Sequence, residues 1–381
     1  MIAIQCGTIM TMDTIGNLQG GTILIEGEFI QAVGQDVILP ADCQVVDARG
    51  LYITPGFIDA HTHLGLEEEI YQVEGDDVNE TSEPLTPQLH AVDGVNFQDL
   101  AFGDALRGGV TRAMCLPGSA NIIGGQGVLL KNLAHRLSDM IYKEPWGLKA
   151  ALGENPKRVY GRQKKSPITR MANASLLREA LYTATRLSEK KEIDPRESFR
   201  YQSLLKVIKK EMPLRLHAHR ADDILTALRI KDEFDIDMII EHGTEAPFIA
   251  KELVQRQVAV CLGPLLNTRA KVEMKEISFT TAGRLAELGV EFCLITDHPV
   301  VPVEHLRVCA ALAVRAGLDP EIAMQAITIK PAGMLKVDHE LGSITPGKRA
   351  DLAAFGGHPL DFQARLQWAM VDGLLWRNGH A

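Results

Sequence analysis

The chain is short of the features that mark several protein classes. Its 381 residues include only six cysteines, scattered and without a C-x-x-C pair. Neither a disulfide framework nor a zinc ribbon is indicated, and a reduced, cytoplasmic setting is expected. No apolar run reaches the length of a membrane span, so no membrane role is expected. The segment Met1-Ile2-Ala3-Ile4-Gln5-Cys6-Gly7 lacks the charged start and long apolar stretch of a secretory signal. Basic residues are outnumbered, 40 against 49 acidic, for a net charge of −9. That argues against nucleic acid, which demands a basic footprint. There is no internal repeat or low-complexity tract. The stretch Asn121-Ile122-Ile123-Gly124-Gly125-Gln126-Gly127 is Gly-rich but lacks the G-x-x-x-x-G-K-[ST] order of a phosphate loop. It reads as a β-turn or as a close backbone approach to substrate. What remains is a protein with a small-molecule partner, with homo-oligomer formation left open.

Hydrophobic content of 46% and charged content of 23% are ordinary for a globular protein. The length predicts a large domain plus a smaller one. Residues 1–52 read as short strands separated by Gly-rich breaks, and the tail 338–381 reads the same way. Two strand-rich ends around a different middle predict a composite β-sandwich domain built from both termini. The middle, 53–337, alternates apolar strands with amphipathic helices. Candidate strands are 57–63, 110–116, 127–130, 148–152, 214–219, 238–242, 258–262 and 292–297. Helices are expected at 96–107, 221–232, 247–256 and 282–288, with two further ones at 175–190 and 197–210. The pattern predicts an α/β fold, a (β/α)8 TIM barrel.

In such a barrel the chemistry sits at the C-terminal strand ends. The first candidate strand ends in His61-Thr62-His63, and residues two apart on a strand share a face. Two imidazoles converging there suit a divalent transition metal. The pattern continues in His217-Ala218-His219, Glu241-His242-Gly243 and Thr296-Asp297-His298. Satisfied core histidines explain any one of these but not all four, since only 12 of 381 residues are histidine. In 148–152, apolar Leu148, Ala150 and Leu152 share one face, so Lys149 points inward, where an unpaired ammonium is costly. Carboxylation would turn that amine into an anion able to bridge two metals. Glu154 is the rival bridge, and a buried salt bridge is the structural alternative for Lys149.

Together, Pro55-Gly56-Phe57-Ile58-Asp59-Ala60-His61-Thr62-His63, Glu241-His242-Gly243, Thr296-Asp297 and Gly342-Ser343-Ile344-Thr345-Pro346-Gly347-Lys348-Arg349-Ala350-Asp351-Leu352 resemble the amidohydrolase superfamily. The nearest likeness is to its imidazolonepropionase-like and prolidase-like branch. It spans nearly the whole chain, with motifs in the expected order. The resemblance implies a metal-bearing barrel in which His61, His63, His217, His242 and Asp297 hold one or two divalent ions, of zinc type. Gly153-Glu154-Asn155-Pro156 departs from the lysine-then-glycine pattern of the prolidase-like enzymes, which leaves the bridging ligand open between Lys149 and Glu154.

The expected chemistry is hydrolysis of a C–N bond in an amide, cyclic amide or dipeptide-like substrate. Asp297 is the expected general base and acid, with His242 or His219 steadying the oxyanion. After the fourth strand a basic stretch carries Lys157, Arg158, Tyr160 and Arg162. As a loop at the barrel mouth it is expected to meet a substrate carboxylate. A deaminase or cyclic amidine hydrolase with a single metal, and a non-catalytic scaffold, are the alternatives.

Overall fold

The computed structural model describes residues 1–70, 73–190 and 192–377. Strands β1 (Ile2–Met10), β2 (Asn17–Glu26), β3 (Phe29–Gly34) and β4 (Gln44–Pro55) share one sheet with β15 (Leu352–Phe355), β16 (Leu366–Val371) and β17 (Leu374–Trp376). The order is β17-β16-β15-β4-β1-β2-β3. β4 is the seam, parallel to β1 and antiparallel to β15. The seven strands are linked in one hydrogen-bonded sheet. At Gly7 the β1–β4 register shifts, and a Cβ there would come within 2.6 Å of Gly50 N; such a bulge bends a strand. β3 meets the segment ahead of β15, with Ile30 N donating to Lys348 O and Ala350 N to Glu28 O, both at 2.8 Å. Ile4, Ile23, Ile25, Ile53, Trp368 and Met370 pack inside.

The middle of the chain forms two further sheets. One, β5-β6-β8-β9, comprises β5 (Phe57–Thr62), β6 (Val110–Cys115), β8 (Val128–Lys131) and β9 (Ile141–Lys143). The other, β14-β13-β12-β11-β10-β7, comprises β7 (Ile123–Gln126), β10 (Leu148–Ala151), β11 (Leu214–Ala218), β12 (Met238–His242), β13 (Val260–Leu262) and β14 (Phe292–Leu294). β10 to β14 are mutually parallel, as are β5 and β6. All residues of these seven strands are buried, as parallel strands covered on both faces must be. Helices Ala221–Phe234, Ala250–Gln255, Thr280–Glu287 and Leu306–Arg315 follow β11 to β14 in turn. The exit of β14 meets that of β5: Asp297 N donates to His61 O at 3.2 Å and His63 N to His298 O at 2.8 Å. Among the described residues, no helix is long and apolar enough to cross a membrane.

Two expectations are corrected. The third candidate strand, 127–130, is found as β8 but runs antiparallel to β6. Residues 116–127 contain no helix, and a parallel return needs a crossover of about a dozen residues or more, usually helical. The basic stretch after β10 is not a loop but the helix Glu154–Arg162. Gly153, at φ +85°, turns the chain directly from strand to helix. Pro156 lies in the first turn, where its missing N–H costs nothing. The two extra helices lie at Arg170–Ser188 and Pro195–Ile208, the second capped by Asp194 on the N–H groups of Arg196 and Glu197.

A buried charge cluster joins the middle of the chain to its terminal sheet. Arg112 of β6, fully buried, donates from Nε to Asp351 at 2.6 Å and from Nη2 to Asp372 at 2.6 Å. Arg349 and Lys131 also reach Asp372, at 3.1 and 3.3 Å. Replacing Arg112 by Met leaves the buried Asp351 carboxylate without a cationic partner among the described residues and removes one of the three from Asp372. Such a loss costs about 3–5 kcal/mol, so the urea midpoint of R112M is expected to fall well below that of the parent. An unchanged midpoint would show that the cluster does not hold the two parts together.

Candidate metal centre

The strand ends deliver their polar groups to one place. His61 lies on β5 and His63 just past it, His217 on β11 and His219 just past it; His242 ends β12, and Asp297 follows β14. Two sets have potential ligand atoms all within 4.8 Å of one another: His217, His219 and His242, and His61, His242 and Asp297. His242 belongs to both. His242 and Asp297 have φ of +75° and +56°. This left-handed backbone costs about 1–3 kcal/mol at a non-Gly residue.

The imidazoles are oriented from behind. His63 Nδ1 lies 2.7 Å from Leu116 O, and His242 Nδ1 lies 2.8 Å from Gly263 O. A carbonyl only accepts, so both rings carry their proton on Nδ1 and present the Nε2 lone pair to the site. His219 Nδ1 meets Thr244 Oγ1 at 2.8 Å. His61 Nδ1 meets Glu241 Oε2 at 2.7 Å, and Arg215 Nε donates to the other Glu241 oxygen. His298 Nε2, outside the two ligand sets, has no hydrogen-bond partner among the described residues, and within the sets the same holds of two buried ring nitrogens: His61 Nε2, with Asp297 Oδ1 3.2 Å away in poor alignment, and His217 Nδ1. Unpartnered buried nitrogens are costly. A divalent cation would satisfy them, so the donor set fits one.

Electrostatics agree with the geometry. Burial, and then the neighbouring imidazole of His242, hold His217 and His219 well below the ordinary histidine range. Burial also lowers His63, and brings His242 down to about 4. These rings are neutral and able to ligate. For His61 burial pulls downward, but Glu241 and Asp297 outweigh it and raise the ring. Asp297 lies well below the usual carboxylate range: burial opposes this, but His242, His61 and His63 prevail. Asp59, fully buried, is pushed up to about 7 by desolvation although Thr296 donates to it from both N and Oγ1.

Lys149 lines the same cavity of about 190 Å3 as His63, His217, His219, His242 and Asp297. Its Nζ donates to Pro117 O at 3.0 Å, and burial brings it down to about 8. Glu154 does not line the cavity; its backbone N–H donates to Glu273 Oε2. Lys157, Arg158, Tyr160 and Arg162 do not line it either, a correction to their expected role as substrate contacts. The helix they form turns Tyr160 onto Glu83 O and Asn121 Oδ1 and leaves Arg158 and Arg162 exposed. The cation at the site is Lys271, in the connection after β13, bonded to Glu273 Oε1 at 2.9 Å. Glu273, buried, lies 3.6 Å from His217 Nε2 and 3.9 Å from His219 Nε2. Sequence reasoning passed over both residues. The available signal was their position after a barrel strand, since such loops line the mouth.

Comparison with known proteins gives a consistent picture. Residues 163–374 match the sequence profile of the amidohydrolase family. The crystal structure of an amidohydrolase from Thermotoga maritima MSB8 is 40% identical and superposes with a TM-score of 0.94, covering 99% of this chain and 100% of that one. An amidohydrolase of Hapsidospora irregularis, tasK, is 27% identical over 93% of this chain and 39% of its own length. An adenine deaminase of Listeria monocytogenes serotype 4b is 24% identical over 92% of this chain and 53% of its own. The chain thus spans about half or less of the length of these two curated relatives.

The depressed histidines set a pH dependence. His63, His217, His219 and His242 lie below the ordinary 6.5, and burial lowers His298 to about 4 as well. Folded, they stay neutral as pH falls from 6.5 towards 4, while the unfolded chain takes up protons, so stability is lost through that window. Asp59 and His61, raised in the fold, act in the opposite sense but are outnumbered. The urea midpoint of the metal-free protein is expected to drop between pH 6.5 and 4. A level or rising midpoint would contradict the assignment of neutral, buried rings.

Proposed function

Because the chain belongs to the amidohydrolase family, we propose that it is a metal-dependent hydrolase that cleaves a C–N bond of a small, carboxylate-bearing amide, cyclic amide or dipeptide. The observation that carries this reading is the pair of ligand sets sharing His242. The cavity's size supports a small substrate: about 190 Å3 is below the usual range of roughly 300–1,000 Å3 for ligand pockets. We infer with it a closed barrel of (β/α) type over 53–337, in which seven strands run parallel and β8 antiparallel, and a terminal β domain from 1–52 and 338–381. The backbone bonds between the exits of β5 and β14 support closure.

His61, His63, His217, His242 and Asp297 would hold the metal, zinc by their ligand chemistry. When bound, such an ion lowers the pKa of a water to about 7 and polarises the substrate carbonyl. Asp297 takes up the proton of the attacking water and delivers it to the leaving nitrogen. Its carboxylate is ionised and able to accept, and it lies 3.2 Å from His61 Nε2 and 3.4 Å from His63 Nε2. His219, oriented by Thr244, and His242 are the groups beside the developing oxyanion. Lys149 would supply an anionic ligand for a second ion if its neutral amine added CO2 and released a proton; burial lowers its pKa to about 8, which raises the share of neutral amine above that of an exposed lysine.

A single-metal deaminase is the second reading. It is favoured by the adenine deaminase likeness. Metal content by plasma mass spectrometry, with the intact mass of the chain, separates the two. Two ions and the added mass of one CO2 mark the binuclear hydrolase; one ion and an unmodified Lys149 overturn it. Asp297→Asn is expected to lower kcat by about 10²–10⁴-fold while keeping most of the metal. Unchanged turnover would remove the proton-shuttle role.

A further inference from the structure

Charged groups stand at both ends of the cavity, and neither belongs to the ligand set. At the end of His217 and His219 stands Lys271. Its ammonium donates to Asn155 Oδ1 at 3.3 Å and to Glu273 Oε1 at 2.9 Å. Gly153 leaves Glu273 room there: a Cβ at residue 153 would come within 2.8 Å of Glu273 Oε2. With those bonds made, one N–H of Lys271 remains for a ligand. Two neutral donors line the same cavity. Ser119 Oγ accepts from Asn155 Nδ2 at 2.8 Å, so its hydroxyl hydrogen is left to donate. Asn79 Oδ1 accepts from Ala120 N at 2.9 Å, which leaves its amide N–H groups. Asn79 sits against Gly118, where any Cβ would lie 2.4 Å from its Nδ2. An ammonium, a hydroxyl and an amide that all donate suit a carboxylate.

At the end of His63 and Asp297 stands Glu67, which also lines the cavity and whose backbone N–H donates to His63 O at 3.0 Å. Its acidic neighbours are Asp76, paired with it across an isolated β-bridge, and Asp297, in the lining of the same cavity. An incoming cation relieves the repulsion among these carboxylates. The outer approach has the same sign. A cavity of about 860 Å3 shares Val78 and Asn79 with the inner one. Its lining includes Asp76, Asp77, Glu80, Asp93 and Glu144, with no lysine or arginine among the described residues.

We propose that Lys271 and Glu67 are specificity-determining residues that select a bipolar substrate, Lys271 anchoring its carboxylate and Glu67 its cationic amine. This rests on reading the inner cavity as the catalytic one. The amine end lies beside Asp297.

The test uses one dipeptide in four forms: free, N-acetylated, C-amidated and blocked at both ends. Binding is measured by calorimetry on metal-free and metal-loaded protein, and hydrolysis is followed in parallel. The free form is expected to bind at least about tenfold more tightly than either singly blocked form, as losing a charged hydrogen bond implies. Glu67→Gln is expected to erase the penalty of acetylation alone, and Lys271→Met that of amidation alone. Lys271→Arg, which keeps the charge beside Glu273, is expected to retain the carboxylate preference and so controls for folding. Equal binding of the four forms, or binding of none, overturns the inference. Turnover without charge preference overturns it while leaving the hydrolase reading standing. Charge-selective binding without turnover does the reverse.

Discussion

The site depends on a carboxylate that never touches solvent. Glu241 is fully buried on β12 and held between Arg215 of β11 and His61 of β5. Removing a carboxylate from water is expensive, and only a well-formed partner offsets the cost. Arg215 is that partner, and its Nη2 also donates to Ala60 O at 2.7 Å. Three strands are therefore joined by one ionic chain. The chain puts the His61 proton on Nδ1 and leaves Nε2 facing Asp297 and His242. Burial is the largest influence on Glu241 and opposes ionisation, but Arg215 and His61 together hold it well below the usual carboxylate range.

The other imidazoles are held differently. His63 and His242 donate to backbone carbonyls and His219 meets a hydroxyl, all neutral partners that give orientation without adding charge. So many imidazoles can be packed together only if most stay neutral, and burial ensures that. The result is a concave set of lone pairs facing an ionised carboxylate, which is what a divalent cation requires. Lys149, buried on β10, and Lys271 bring cations to the cavity, and Glu67 and the buried Glu273 bring carboxylates. In the proposed reading the cavity floor would hold the ion and move the proton, while the walls carry the charges proposed to select substrates.

Much of this was legible in the sequence because strand geometry is rigid. His61-Thr62-His63 and His217-Ala218-His219 share faces by alternation, and a polar residue ending an apolar strand points to the mouth of a barrel. The inward Lys149 followed from the same alternation. What loops contribute was not legible. Lys271, Glu273 and Asn79 lie in segments without periodicity, and only the folded chain brings them to the site. Arg158 and Arg162 were attractive for their charge, but Gly153 and Pro156 start a helix that carries them away. The β8 segment was recognised as a strand; its direction depended on the short, helix-free connection before it.

The central claim is that these strand ends form one metal-holding constellation centred on His242. A crystal structure of the metal-loaded protein, with anomalous data on both sides of the zinc absorption edge, tests it most directly. The account predicts an anomalous peak with imidazole nitrogens of His61, His63 and His242 and a carboxylate oxygen of Asp297 within ligand distance, about 2.0–2.2 Å. Any second peak should lie on the side of His217 and Lys149. A loaded crystal with no peak among these residues, or with the zinc bound elsewhere, would contradict it.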